Sequence, residues 1–350
     1  MSSIDTDVVV IGAGPVGLFQ VFELGLQGLT SVLIDSLPEL GGQCIELYPN
    51  KPIYDIPALP EANASEVIDN LWLQAAKFEP KLLLSNTVTD IKKLSHHAFI
   101  VTTNKGITVN CKSVVIAAGN GAFSPVKLKV SGIEKFESQQ LLYHIQDPAL
   151  YREKEVVVLG GGDAALDWAC TLQRSGAFVT LIHRSTNFRA NTAIVNDVMS
   201  LCEQQKMQFL CGQVTNFHEQ DNQLTSVIVQ SKDGVKRTVG LDTLLVCFGM
   251  SPKLGPIANW DLALHHHQII VDTERFQTSL DGVYAVGDIN YYPGKRKLIL
   301  SGFHESALAA FSIAEQVQNK PRIPTLYTTT SSVVHQRMGV NVDLTDLVEV

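Results

Sequence analysis

Two glycine-rich motifs in this chain have the residue types and spacing of dinucleotide-binding turns. The first follows the apolar residues 8–11 and the second follows the apolar residues 156–159, so each is predicted to join a buried strand to a helix. Glycine permits the tight turn, while the first helical turn presents unpaired N–H groups to a pyrophosphate. The residues expected to hold the two pyrophosphates are Gly12, Gly14, Pro15 and Gly17 in the first motif and Gly160, Gly162, Asp163 and Ala164 in the second.

The two motifs lead to opposite charges at the end of the following strand. After the first motif the next apolar run ends at Asp35, whereas after the second it ends at His183 and Arg184. A carboxylate in this position accepts hydrogen bonds from the hydroxyls of an adenosine ribose. His183 and Arg184 are instead expected to meet a phosphate, for which both Arg184 and Arg189 offer several N–H donors. The chain is therefore expected to hold FAD at the first motif and NADPH at the second.

The composition indicates a globular protein and excludes several classes of partner. The chain has 350 residues, of which 45% are hydrophobic and 18% are charged, and its formal net charge is −8. This acidic balance disfavours a nucleic-acid partner. No apolar run reaches the roughly 20 residues of a membrane span, and the first residues lack the features of a signal peptide. We therefore expect a cytoplasmic protein with no nucleic-acid or membrane partner.

A second nucleotide-binding unit is predicted to be inserted within the first. Residues 114–119 and 244–249 both have the pattern of a buried strand that ends in glycine, and the prolines that follow them suit hinges. We expect an α/β protein with two Rossmann-like domains of the three-layer ββα/βαβ type. The expected FAD-binding domain comprises residues 1–121 and 251–350, including a C-terminal extension, and the expected NADPH-binding domain comprises residues 122–250.

A third pattern is expected to return the chain to the first nucleotide. Residues 278–288 have the alternation of a strand and end at Gly287 and Asp288. Glycine allows a close approach to the ligand, and an aspartate at this point of an FAD enzyme binds the ribityl chain. Residues 301–306 are expected to precede a helix that starts at Ala307, with its N–H groups facing the flavin or the pyrophosphate.

Several segments resemble the bacterial ferredoxin–NADP reductases that are built like thioredoxin reductase. The segments are residues 41–49, 53–56, 160–169 and 287–298, and the resemblance extends over essentially the whole chain. It implies FAD contacts at Asp35, Gln43, Tyr48, Val88, Phe123, Asp288 and Thr329. The Gln43 amide suits the polar edge of a flavin and the Tyr48 ring suits its face. Val88 and Phe123 would be apolar contacts, with the alternative that they belong to the core.

The C-terminal part of the resemblance concerns residues 327–332. In this family the corresponding extension covers the flavin face at which the nicotinamide arrives. Tyr327 is our candidate for a ring that stacks on the flavin, and the alternative is a surface aromatic residue in a polar tail. The resemblance also implies a homodimer.

Two departures from related enzymes bear on the reaction. Thioredoxin reductases carry a CxxC dithiol before the second glycine motif, but residues 141–148 contain no cysteine here. Hydride is therefore expected to pass from NADPH to FAD, and single electrons from FAD to ferredoxin or flavodoxin. The second departure is Ser185, which stands where the family usually has a further arginine, so the strength of the NADPH preference stays open.

Two alternative functions share every motif described above. One is another NAD(P)H-dependent flavin oxidoreductase, of quinone or oxidase type, and the other is a flavin-binding redox sensor without turnover. No catalytic acid or base is predicted, because His144, His304 and His335 each more often complete a hydrogen-bond network than catalyse. No metal site is assigned to residues 265–267. The basic residues 295–297 are either solvated loop charges or part of a site.

The cysteine pattern predicts that turnover does not pass through a protein disulfide. The six cysteines are scattered and form no CxxC pair. A variant with all six replaced by serine or alanine, once folded and loaded with FAD, should still reduce ferredoxin with NADPH. The unaltered protein should show negligible reduction of thioredoxin, because an exchange-competent thiolate pair is missing. Robust thioredoxin turnover, or loss of ferredoxin reduction in the loaded variant, would contradict this route.

Overall fold

The computed structural model describes residues 3–49, 51–145 and 147–340, apart from the side chains of residues 122–124 and 250–253. The chain forms two compact units, one from Met1–Ala122 with Pro252–Val350 and the other from Phe123–Ser251. Each unit has a five-stranded sheet with helices packed against it. The predicted α/β class with two Rossmann-like folds is confirmed.

Five parallel strands form the central sheet of the first unit. They are β2 (Val8–Ile11), β3 (Ser31–Ile34), β6 (Lys81–Leu83), β10 (Ser113–Ile116) and β23 (Val283–Ala285). Their order across the sheet is β23-β10-β2-β3-β6. Every residue of β2, β3 and β10 is buried, as expected for a parallel sheet that is covered on both faces.

Smaller sheets and five helices surround this sheet. The smaller sheets contain β1 (Ser3–Asp5), β9 (Thr108–Cys111), β8 (Ala98–Thr103) and β7 (Val88–Ser95) in that order, β21 (Leu264–His265) with β22 (Gln268–Ile270) and β24 (Asn290–Tyr291), and β4 (Pro52–Ile53) with β5 (Ala62–Asn63). The helices are α1 (Pro15–Leu26), α2 (Gln43–Leu47), α3 (Ala64–Ala75), α6 (Ile299–Val317) and α7 (Ser332–Arg337). Helix α1 packs against both α3 and α6.

Helix α6 begins earlier than the sequence predicted. The expected start was Ala307, but the helix starts at Ile299, so residues 301–306 are helical and not a loop before it. The polar side chains of this segment concealed the helix, because Glu305 and Ser306 are buried with their hydrogen-bond partners supplied by other segments. None of the helices within the described ranges is long and apolar enough to span a membrane.

The second unit repeats the pattern of strand, glycine loop and helix. Its parallel sheet contains β12 (Leu141–Leu142), β19 (Thr243–Val246), β13 (Glu155–Leu159), β14 (Phe178–His183) and β15 (Gln208–Cys211), in that order. Its other elements are α4 (Asp163–Arg174), α5 (Thr192–Glu203) and the antiparallel strands β16 (Gln213–Gln220), β17 (Gln223–Gln230) and β18 (Lys236–Gly240). Strands β11 (Ala122–Pro125) and β20 (Met250–Lys253) pair where the chain passes between the units.

Candidate functional site

The first glycine loop joins β2 to α1 and has room for a side chain at only one of its three motif glycines. Gly12 has a φ of +107°, and a Cβ on it would overlap the carbonyl oxygen of Ala117. A Cβ on Gly17 would overlap the carbonyl oxygen of Gly12. At Gly14, by contrast, a Cβ would meet no atom within 4 Å. The loop is thus closed against the sheet and leaves open space at the start of the helix.

The start of α1 offers unpaired donors to this open space. Gly14 is the N-cap residue and has no side chain to cap the helix, and Pro15 is the first helical residue. No acidic residue lies in the first turn. The N–H groups of that turn and the positive end of the helix dipole therefore face the space beside Gly14 without a competing carboxylate from the turn. This arrangement suits an anion.

Glycines also mark the other segments that approach the start of α1. A Cβ on Gly42 would lie 3.2 Å from the Cα of Gly14, and a Cβ on Gly287 would lie 3.3 Å from the Val16 side chain. A Cβ on Gly302, in α6, would overlap the same valine. Three separate segments therefore come within backbone distance of the glycine loop. We refer to these segments and the loop as the first cradle.

Asp35 closes one side of the first cradle at the end of β3. Its Oδ2 accepts the N–H of Ala13 at 2.6 Å, and its Oδ1 accepts the N–H of Leu37 at 2.8 Å. Burial raises the pKa of Asp35, while the amide hydrogen bonds lower it. The carboxylate therefore fixes the glycine loop before any ligand arrives. Its remaining lone pairs are available to ribose hydroxyls.

Helix α2 brings two predicted flavin residues to the same cradle. The Nε2 of Gln43 lies 3.0 Å from the position that a Cβ on Gly119 would occupy. The hydroxyl of Tyr48 lies 3.5 Å from the Sγ of Cys44. Burial raises the pKa of Tyr48, and the charge of Asp288 adds to that shift. Tyr48, Cys44 and Asp288 therefore lie in one region of the cradle, and Gln43 starts the same short helix.

Sequence reasoning missed one residue of this region and left another undecided. Glu305 was assigned no role, but its carboxylate lies in α6 with no exposed surface and accepts the N–H of Gly287 at 2.7 Å. For Lys295 the sequence allows either a solvated charge or a part of a site. Its side chain is 4% exposed and paired with Glu305, so it is not a solvated loop charge. The only sequence signal for either residue was the basic run at residues 295–297.

The remaining residues implied for the flavin are placed less closely around the cradle. Val88 starts β7 and is a core residue with 4% exposure, near Asn86, whose N–H donates to the carbonyl oxygen of Asp35. Phe123 lies in β11, and its side chain is outside the described residues. Thr329 is exposed, in a turn that precedes α7.

Tyr327 lies in the same turn, with 68% of its surface exposed. His335 of α7 donates a hydrogen bond to the carbonyl oxygen of Thr328 at 2.5 Å. Arg337 of α7 donates to the carbonyl oxygen of Leu26, the last residue of α1. Since the 12 residues of α1 span about 18 Å, this contact is at the opposite end of the helix from the glycine loop. Within one chain, α7 is therefore anchored away from the first cradle.

The second glycine loop is built like the first but meets different neighbours. A Cβ on Gly160 would lie 2.5 Å from the carbonyl oxygen of Cys247, and a Cβ on Gly161 would overlap the ring of His183. A Cβ on Gly162 would come no nearer than 3.7 Å to another atom. Gly162 caps α4 without a side chain, and Asp163 and Ala164 form the first turn. The open position is again the glycine at the helix start.

His183 packs against the second glycine loop. Its ring lies against Gly161 and stacks on Phe188 at 5.6 Å between centroids. Burial lowers the pKa of His183, and the charges of Arg184 and Arg189 lower it further, although a backbone hydrogen bond raises it. The ring is therefore harder to protonate than a free imidazole, and the two arginines carry the positive charge beside this loop.

The two arginines remain as the basic groups beside the second loop. Arg184 directly follows β14, and the N–H of Arg189 donates to the carbonyl oxygen of Gly161 at 2.7 Å. Both side chains are exposed, and no carboxylate within the described ranges pairs with either. Asp163 accepts the N–H of Asn191 at 2.9 Å and so ties the arginine loop to α4. The arrangement suits a phosphate near the second loop.

Two strand, glycine-loop and helix units of opposite charge define a protein that binds two different dinucleotides. The model of the pyridine nucleotide-disulphide oxidoreductase family matches residues 6–316. Relatives include ferredoxin–NADP reductases of Colwellia psychrerythraea, 68% identical over 97% of each chain, and of Albidiferax ferrireducens, 52% identical over 96% of each chain. The chain belongs to the pyridine nucleotide-disulphide oxidoreductase family and, within it, groups with the ferredoxin–NADP reductases.

Solved structures show the same fold at low sequence identity. Thioredoxin reductase of Lactococcus lactis is 23% identical with a TM-score of 0.72, over 90% of this chain and 99% of that one. Thioredoxin reductase of T. acidophilum is 24% identical with a TM-score of 0.71, over 89% of this chain and 98% of that one.

FAD and NADP(H), the cofactors of this group, fit the two units as the residues stand. The first cradle provides the open position at Gly14, the uncapped helix start and the Asp35 carboxylate, which match a pyrophosphate and a ribose without a further phosphate. The second provides the open position at Gly162 and two unpaired arginines.

Asp35→Ala should weaken FAD binding by about 1.5–3 kcal/mol, as for loss of a charged hydrogen bond, since it also frees the amide of Ala13. The measurement is titration of the apoprotein with FAD. Asp90→Ala, which removes an exposed carboxylate of β7, should leave the affinity unchanged. Equal affinity of the Asp35 variant and the unaltered protein, or extraction of FMN instead of FAD, would contradict the assignment.

Proposed function

We propose that this protein is an FAD-dependent reductase that exchanges electrons between NADP(H) and a one-electron carrier, ferredoxin or flavodoxin. The observation that carries the proposal is the presence in one chain of two glycine loops with opposite charges beside them, Asp35 at one and two exposed arginines at the other. Relatives that are similar to this chain over nearly its whole length are ferredoxin–NADP reductases, which supports the same reaction.

In this proposal the first unit is the FAD-binding domain and the second unit is the NADPH-binding domain. The start of α1 binds the FAD pyrophosphate, Asp35 orients the adenosine ribose and Asp288 orients the ribityl chain. Gln43 offers its amide to the polar edge of the flavin, and Tyr48 offers its ring to a face. Bound FAD supplies the conversion between two-electron and one-electron chemistry. No side chain of the chain is assigned proton transfer.

The first turns of α1 and α4 differ in charge. This difference suits one nucleotide that stays bound during turnover and one that is exchanged. Helix α1 has no acidic residue in its first turn, whereas α4 begins with Asp163. A carboxylate at a helix start weakens the attraction between the positive end of the helix dipole and a pyrophosphate. FAD in the first unit is therefore held more strongly, and NADPH in the second leaves more readily after each turnover.

Direct transfer from the flavin to an external carrier is supported by the state of the cysteines. All six are free. Cys44 lies in the first cradle but is 1% exposed, and burial raises its pKa. A buried neutral thiol is a poor nucleophile for disulfide exchange.

We further infer a homodimer located in the cytoplasm. The exposed Tyr327 is anchored with α7 at the far end of α1, so the ring reaches a flavin more readily in a second copy than in its own chain. A stacking role for Tyr327 and a contact by Thr329 belong to this inference. The six free cysteines, which suit a reducing compartment, support the cytoplasm.

The experiment that tests the function is steady-state reduction of purified ferredoxin and flavodoxin with NADPH. Reduction of either carrier at a rate comparable to that with a small dye would support the proposal. Turnover with quinones or oxygen but not with the carriers would favour another flavin oxidoreductase. Binding of FAD without turnover would favour a redox sensor.

Coenzyme preference should depend on the exposed arginines. Replacing Arg184 and Arg189 together by alanine should raise the KM for NADPH on the order of tenfold or more, while the KM for NADH changes little, because only NADPH carries the 2′-phosphate. Arg174→Ala, which removes an exposed arginine paired with Asp197, serves as the matched control. Equal kcat/KM for the two coenzymes in the unaltered protein would refute the NADPH assignment.

A further inference from the structure

A single buried carboxylate holds the Asp288 turn, Gly287–Ile289, against α6. The Oε2 of Glu305 accepts the N–H of Gly287 at 2.7 Å and the Nδ2 of Asn290 at 2.8 Å. Its Oε1 accepts the hydroxyl of Tyr292 at 3.0 Å and the ammonium group of Lys295. One side chain thus holds Gly287 at the start of the turn, Asn290 directly after the turn, and the loop that leads into α6.

The pair of Lys295 and Glu305 is more deeply buried than stability alone requires. The two side chains are 4% and 0% exposed. Removing two charges from water costs about as much as their attraction returns, so apolar residues of similar volume would stabilise a fold equally well. This pair lies directly beside the turn that carries Asp288, and that position points to a role other than stability.

The charges around Asp288 come mainly from the same loop and helix. Burial raises the pKa of Asp288, the ammonium groups of Lys297 and Lys295 lower it, and Glu305 raises it. From α2 the facing groups are a thiol and a phenol whose pKa values are raised, so that both are neutral near pH 7. The titratable and charged groups that face Asp288 are therefore Lys295, Lys297, Glu305, Cys44 and Tyr48.

We propose that the buried Lys295–Glu305 pair is a positioning device for FAD. Glu305 holds the turn so that Asp288 faces the ribityl hydroxyls, and Lys295 favours the carboxylate form of Asp288 that accepts their hydrogen bonds. The inference rests on the proposed function for the identity of the cofactor. It requires that FAD affinity respond to the charge of Lys295 separately from the stability of the fold.

The test is titration of apoprotein with FAD across a range of pH, together with the thermal unfolding midpoint of each apoprotein. The variants are Lys295→Met, Glu305→Gln and the double variant. Each single variant leaves one buried charge unpaired, so it should lower the midpoint and raise the Kd for FAD by on the order of tenfold. The double variant removes both charges. Its midpoint should return to that of the unaltered protein while its Kd stays on the order of tenfold higher.

The pH profile separates positioning from simple structural support. Loss of the Lys295 ammonium group raises the pKa of Asp288 further, so Asp288 is protonated at a higher pH. In Lys295→Met the loss of FAD affinity on acidification should therefore begin at a higher pH than in the unaltered protein. Asp35 is also protonated on acidification, but it is present in every variant. It therefore does not contribute to the difference in pH between Lys295→Met and the unaltered protein.

The matched control is Lys112→Met, which breaks the pair of Lys112 and Asp7 at 2.7 Å. This pair lies before β2 and β10, at the end of the sheet opposite the glycine loop. The control should change neither the Kd nor the pH profile. Three results would overturn the positioning role. In the double variant, the Kd for FAD could return to that of the unaltered protein together with the unfolding midpoint. The pH profiles of Lys295→Met and the unaltered protein could superpose, or Lys112→Met could raise the Kd as much as Lys295→Met does. Failure of the unaltered apoprotein to bind FAD would instead overturn the proposed function, and the positioning role with it.

Discussion

The unpaired N–H groups at the start of α1 are the feature on which the first unit depends. They attract an anion only if the helix starts directly after a buried strand and no side chain fills the space beside Gly14. Gly12 and Gly17 meet the first condition, because the backbone of the loop passes within contact distance of β10 and of its own helix. The segments that carry Gly42 and Gly287 also come close to the start of α1, which explains why these positions are glycine.

Helix α6 links the parts of this unit that approach the cofactor. It passes α1 where Gly302 faces Val16, and three residues later Glu305 reaches back to the Asp288 turn. The helix therefore fixes both the start of α1 and the position of Asp288. A change in this helix would act on the pyrophosphate end and the ribityl end of the cofactor together.

The second unit uses the same backbone with different electrostatics. Its loop is closed by Cys247 and His183, as the first loop is closed by Ala117. The charge beside it is reversed, because exposed arginines replace the buried carboxylate of Asp35. Asp163 has a structural use at the helix start, since it holds the N–H of Asn191 and with it the loop that carries Arg189. One fold is therefore adapted to two nucleotides by a few side chains at the ends of two strands.

Local sequence was sufficient for the features that depend on neighbouring residues. The two glycine loops follow from apolar strands that run directly into glycine, and the contrast between Asp35 and Arg184 follows from the position after the next strand. The fold class could be predicted because two such units in one chain require two parallel sheets. These features lie within about 30 residues of each other in the chain, so the local pattern contains them.

Tertiary structure decided the features that depend on which side chains become buried. The early start of α6 was hidden because Gly302 is unfavourable in an isolated helix and the polar Glu305 interrupts the apolar pattern; in the fold, Gly302 packs against Val16 and Glu305 accepts the N–H of Gly287. Lys295 resembled a solvated loop charge until the fold placed Glu305 beside it. The sequence does not show that the His183 ring lies against Gly161, where burial lowers its pKa. In each case packing against another segment set the surroundings of the residue, and the sequence pattern does not show which side chains that packing buries.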